Sequence, residues 1–192
     1  MKILAALVVA AVTALQSSCV FAVTSGEWNE MYKKAQALNK TVIHIDSKLM
    51  RLDKIFVELD GNNKQCNYMT GYMRAVLWQW MHGASPVFDS IDNIHKKYLN
   101  DEKARVAGMS SIKNIFEVNE DSLGKLFLQS DFKSMKVVYT AIRNSSKSDE
   151  ERKAYEELLF VHDEFEKIFV SVKELLAQIK PIFSTPAYVF TK

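Results

Sequence analysis

Between residues 28 and 59 the apolar residues recur at alternating steps of three and four: Trp28, Met31, Ala35, Leu38, Val42, Ile45, Leu49, Leu52, Phe56 and Leu59. No polar residue interrupts the series, and steps of this kind keep returning to one face of an α-helix. A half-buried strand needs alternation at every second residue, a pattern almost absent from this chain. The stretch therefore predicts a single helix, on the order of 50 Å long at the usual rise of about 1.5 Å per residue. Its end is expected at Asp60-Gly61-Asn62-Asn63, because glycine and asparagine accept left-handed backbone angles.

Three further segments carry comparable patterns. The second runs Met69, Met73, Val76 and Trp80, then resumes as Val87, Ile91, Ile94 and Tyr98. Gly83-Ala84-Ser85-Pro86 between them predicts a break or kink: proline lacks a backbone donor but suits the first turn of a new helix, with Ser85 as N-cap. In the third segment Ile112, Phe116, Leu123 and Leu126 stand on a different phase from Leu128, Phe132, Met135, Tyr139 and Ile142, so its buried face is expected to rotate near Gly124 or Ser130-Asp131. The fourth opens on Ser148-Asp149-Glu150-Glu151, a capping-box pattern with Ser148 at N-cap and Glu151 at N3. Its seam is Tyr155, Leu158, His162, Phe165, Phe169, Val172, Leu176 and Ile179, and Pro181 is expected to end it.

The polar connections around residues 61–64, 100–108 and 144–147 are short, which makes consecutive helices antiparallel neighbours. The expected fold is an all-α, up-down-up-down four-helix bundle over residues 23–192 as one domain. A short aromatic tail over residues 181–190 reads as extended.

Residues 1–22 have a different character. Lys2 precedes an apolar run over residues 3–15, and Val20-Phe21-Ala22 puts small residues three and one before the bond to Val23, the layout of a signal peptide. The run is shorter than the roughly 20 apolar residues that span a bilayer, and no second such run follows. A secreted or periplasmic protein with no transmembrane segment in its mature part is the expectation. Ser17-Ser18-Cys19 also has the small residues of a lipid-anchoring site, with Gln16 where an aliphatic residue is usual.

The whole chain holds 25 Lys and Arg against 23 Asp and Glu; without Lys2 the basic count is 24, leaving about +1 on residues 23–192. The signs are mixed along the chain, which argues against nucleic acid as a partner. Cys66 is the one cysteine outside residues 1–22, so an intrachain disulfide is ruled out there. An oligomer linked through Cys66, a reactive thiol and a buried inert thiol are the readings. Asn39-Lys40-Thr41 and Asn144-Ser145-Ser146 match the glycosylation acceptor pattern.

Helical bundles often hold cofactors between their seams, so the residues there bear on ligation. A di-iron carboxylate site needs Glu-x-x-His on two helices, and the chain has none; Asp92-x-x-His95 is the near match, on a face that reads as polar beside Lys96 and Lys97. His162 sits on the fourth seam, where a polar residue must find a hydrogen-bond partner. Paired with Met69 or Met73 it has the chemistry of an axial ligand to noncovalent haem. Met69, Met73, Met81 and His82 are soft ligands of the Cu(I) type, although methionine at helical spacing ordinarily packs cores. No nucleophile elbow is present, and Asp163, Glu164 and Glu166 read as a solvated charged face. No metal or cofactor is expected.

Trp78 does not fit the core pattern. With Met69, Met73, Val76 and Trp80 turned inward, a wheel of about 100° per residue puts Trp78 on the opposite side, with Gly71, Arg74, Ala75 and His82. Trp and Arg dominate binding hot spots. The functional reading is a non-enzymatic exported protein that binds a protein partner through Trp78, Arg74 and His82. The alternative is a carrier of lipid or haem, walled by Met73, Trp80, His162 and Phe165.

Overall fold

The computed structural model describes residues 23–59, 64–98, 100–128 and 132–184. It is almost entirely helical, and no strand occurs among the described residues. Helix α1 is Ser25–Glu58, α2 is Lys64–Gln79, α3 is Ser85–Lys97, α4 is Glu102–Leu128, α5 is Phe132–Ser145 and α6 is Asp149–Ser184.

Helix α1 begins at a full capping box: the Glu27 amide donates to Thr24 Oγ1 at 3.1 Å, and the Thr24 amide donates to Glu27 Oε2 at 2.8 Å. The Glu27 carboxyl is held below its ordinary pKa, chiefly by the Thr24 backbone bond. From Trp28 to Phe56 all the seam residues are buried, and Leu59 packs half-buried against the same core. The expected stop at residues 60–63, residues 1–22 and residues 185–192 lie outside the described residues.

The interruption in the second segment takes an unexpected form. Instead of a new helix capped by Ser85, the chain passes through a π turn, Trp80–Ala84, with Gln79 and Ser85 both in right-handed helical conformation. The Ser85 amide donates to the Trp80 carbonyl, a five-residue step that admits one extra residue before Pro86. Proline thus enters without breaking the helix, because the wider turn displaces the carbonyls its ring would strike. Asn119 Nδ2 from α4 donates to the Gly83 carbonyl at 3.0 Å, satisfying one of the acceptors that the turn exposes.

Cross-helix bonds set the directions. Thr70 reaches Asp53 at 2.9 Å, Arg74 reaches Asp46 at 3.0 Å, Trp80 reaches Asn39 at 2.8 Å and Trp28 reaches Asp92 at 3.2 Å, so α2 and α3 run antiparallel to α1. Tyr155 packs on Phe56, Glu157 binds Lys48 and Arg51, and Ile168 and Leu175 line a groove with Leu38 and Lys34, so α6 runs antiparallel to α1. Gln79 bonds Asn119, and a Cβ on Gly108 would meet Ile94 at 2.8 Å, so α4 closes tightly on α2 and α3.

The phase slip of the third segment is a division into two helices. Helix α4 meets the end of α6 through Lys180 and Glu120 at 2.8 Å and through Phe116 and Phe183. Helix α5 covers its beginning, with Lys136 on Asp163 and Tyr139 facing Tyr155 and His162.

Two expectations about α6 are corrected. Ser148 does cap it, accepting from the Glu151 amide at 3.4 Å, but the Glu151 carboxylate takes a bond from the Ser146 hydroxyl instead of completing the box. Pro181 does not end the helix, which continues to Ser184. Ile182 is buried and Phe183 packs on Phe116 with ring centroids 5.0 Å apart. Burying these side chains outweighs a proline cost of about 3 kcal/mol.

Candidate functional site

Helix α2 has a sharply two-sided character. Met69, Met73, Val76 and Leu77 are buried, as is Trp80 in the π turn, whereas Gly71, Ala75, Trp78 and His82 are exposed. The wheel reading of Trp78 is met: it is 58% exposed, while the other two tryptophans, Trp28 and Trp80, are buried. The Trp78 and His82 rings lie 4.8 Å apart, tilted by 39°, so the indole is braced on its own helix. Arg74 is not a free cation. Its Nε donates to Asp46 Oδ1 across the α1–α2 groove, and about a third of the side chain remains exposed.

Helix α1 adds apolar residues to this side. Ile43, Met50 and Val57, at steps of seven, are exposed at 56%, 44% and 67%. They follow the seam residues Val42, Leu49 and Phe56 by one position, on the flank that carries Asn39, Asp46 and Asp53 toward α2. The seam reading does not include these three residues; their sequence signal is a second apolar series at heptad spacing beside it.

The four residues of the carrier reading lie elsewhere. Met73, Trp80 and Phe165 belong to one continuous hydrophobic core, and His162 is buried as well. The Tyr139 ring stands edge-on to His162 at 6.2 Å. Surface grooves among the described residues include one of about 590 Å³ between α4 and α6, lined by Leu123, Gly124, Phe169, Val172 and Leu176, and one of about 350 Å³ between α1 and α6. Neither is lined by any of those four.

Asp92 and His95, read as a polar outer face, are buried instead. Asp92 accepts from Trp28 Nε1 and pairs with Lys96 at 2.7 Å, which raises the Lys96 pKa. His95 is pushed below its ordinary pKa, first by burial and then by the Arg105 guanidinium facing it from α4. Asp163, Glu164 and Glu166 are half-buried, not fully solvated; Asp163 holds Lys136 and Glu164 holds Lys167, and both lysine pKa values are raised by these carboxylates. The donor atoms of His162, Asp163 and Glu166 approach within 4.8 Å of one another, but Lys136 already occupies Asp163.

Of the two acceptor asparagines, Asn39 is built into the α1–α3 contact: its Oδ1 accepts from Trp80 Nε1 and its Nδ2 donates to Ser85. Asn144 is exposed in the last turn of α5, with its Oδ1 accepting from Arg143. The Cys66 side chain lies outside the described residues. No described helix is long and apolar enough to cross a membrane. Comparison with family models, curated proteins and solved structures finds no match to this chain.

Proposed function

We propose that this chain is an exported, non-enzymatic helical protein that serves as a protein-interaction module, presenting the α2 face around Trp78. The antiparallel contacts of neighbouring helices support a four-helix bundle in which α4 and α5 share the third rod. Export rests on the signal-peptide pattern of residues 1–22.

One observation carries the reading: a tryptophan more than half exposed, tilted against the His82 ring and flanked by Arg74, in a chain whose other tryptophans are buried. Large aromatic side chains left in water are the usual anchors of binding surfaces. The π turn begins two residues after Trp78, and such turns concentrate at functional positions. Carriage of an apolar ligand has less support, because its four wall residues fill the core.

The test compares wild type with Trp78→Ala as immobilised baits on extract from the natural source. Loss of specific capture with unchanged helical circular dichroism supports the reading; equal capture by both baits removes this face as the site.

A further inference from the structure

We propose that His162, Asp163 and Glu166 of α6 bind a divalent transition-metal ion of the Zn²⁺ type, in exchange for the Lys136 ammonium that α5 places in the same seat. The site stands on different helices from Trp78 and goes beyond the interaction reading, which does not depend on it.

Helical spacing brings the three donors together. His162 and Glu166 are four residues apart and Asp163 and Glu166 three, and both spacings make neighbours on one helix face. No glycine or proline interrupts α6 between Asp149 and Lys180, so the backbone beneath the cluster is regular. One imidazole nitrogen and one oxygen of each carboxylate lie within 4.8 Å of one another. An ion about 2.0–2.2 Å from each ligand draws them to roughly 3.5 Å apart in a tetrahedral set. Rotation of the Asp163 and Glu166 side chains covers that difference.

The seat already attracts a cation, and from another helix. Lys136 Nζ bonds Asp163, and after that bond the Glu166 carboxylate adds to the rise of the Lys136 pKa, so both acids converge on one position of positive charge. Two carboxylates against one ammonium leave a net charge of about −1, and a divalent ion in place of the ammonium cancels both. Lys136 is a point charge on a flexible stem and nearly half exposed, so it can turn to water without moving either helix.

The ligand types select the ion. An imidazole with two carboxylates is a donor set for Zn²⁺ and its first-row relatives, whereas Mg²⁺ and Ca²⁺ take oxygen ligands alone. His162 is fully buried with the Tyr139 ring edge-on to it at 6.2 Å, which restrains the imidazole; Asp163 and Glu166 are half-buried and leave the ion a way in from solvent.

The test is Zn²⁺ titration of the untagged, chelator-stripped protein in competition with a chromophoric chelator, with Co²⁺ absorbance as a second probe that reports nitrogen ligation. One ion per chain is expected. Glu166→Gln and His162→Gln should each weaken binding about tenfold or more with the helical circular dichroism unchanged. Lys136→Met should tighten it about fivefold, because the competing ammonium is gone. That gain is a result that neither a damaged fold nor chance binding at the exposed His44 and His82 produces. Absence of Zn²⁺ binding, binding indifferent to Glu166→Gln, or no gain in Lys136→Met overturns the proposal. If His162→Gln fails to fold, the Glu166 and Lys136 variants decide alone. Capture of a protein through Trp78 is measured separately, so either reading can fall while the other stands.

Discussion

Trp28, in the first turn of α1, donates its indole Nε1–H to Asp92 of α3 across 64 residues of sequence, at 3.2 Å and out of contact with solvent. The same carboxylate holds Lys96 at 2.7 Å, so one buried acid joins two helices and neutralises a surface lysine. Asp92→Ala should cost about 1–3 kcal/mol, because the buried indole loses its bond to the carboxylate. Asp92→Asn keeps a carbonyl for the indole and should lose less. Urea midpoints of the two variants against wild type decide the order, and equal losses would contradict this account.

His95 carries a pH dependence of definite sign. Burial and the facing Arg105 guanidinium lower its folded pKa below the unfolded value of about 6.5, while Asp92 opposes and Lys96 adds to the shift. The unfolded chain therefore binds the proton first. This contribution to stability is complete above about pH 6.5 and is lost as pH falls through that value toward the folded pKa. Unfolding titrations at pH 7.5 and at pH 5 should show the drop, and His95→Gln should remove that part of the slope.

Two glycines should respond in opposite directions to alanine. A Cβ on Gly83 would run into Asn119 Oδ1, inside the network formed by Gln79, Asn119 and the Gly83 carbonyl. Gly83→Ala must displace Asn119 from bonds at 2.9 Å and 3.0 Å, with an expected loss of about 1–3 kcal/mol. Gly124 of α4 has nothing within 4 Å of its Cβ position among the described residues. Gly124→Ala should stabilise by about 0.5–1 kcal/mol through helix propensity. Thermal melts of the pair provide the comparison.

Past Pro181 the last turn of α6 depends on its side chains. Ile182→Ala should cost about 2–4 kcal/mol as a large-to-small change at a buried site. Pro181→Ala restores an amide donor and should raise the melting temperature. A lower melting temperature for Pro181→Ala would show that the proline contributes packing that the exposed position of its ring does not suggest.

Periodicity was sufficient for the rods and insufficient for their joints. The α1 seam was legible residue by residue because its apolar spacing never slips, and the division of the third segment was visible as a change of phase. The π turn was not legible: Gly83 and Pro86 announce an interruption, but whether it becomes a break or a widened turn depends on Asn119 and Asn39, which arrive from other helices. Pro181 misled for the same reason, since the turn beyond it is held by Phe116, far away in sequence. At the candidate surface, Trp78 and His82 were found by wheel arithmetic, whereas the pairing of Arg74 with Asp46 needed the register between helices. Asp92 and His95 read as solvated because Lys96 and Lys97 follow them, although a helix can bury one residue and expose the next.

Helix α5 packs against α6 and makes no comparable contact with α1 or α2 among the described residues. A piece attached along one side alone is the part of a molecule that lifts away first, well before the rest unfolds. Slow opening of this kind would let deuterium into the amides of α5 ahead of those in α1, and would bring Tyr139 and His162 to solvent together. The buried histidine would then meet solutes only in those brief intervals, on the timescale of a hinge rather than of the whole fold.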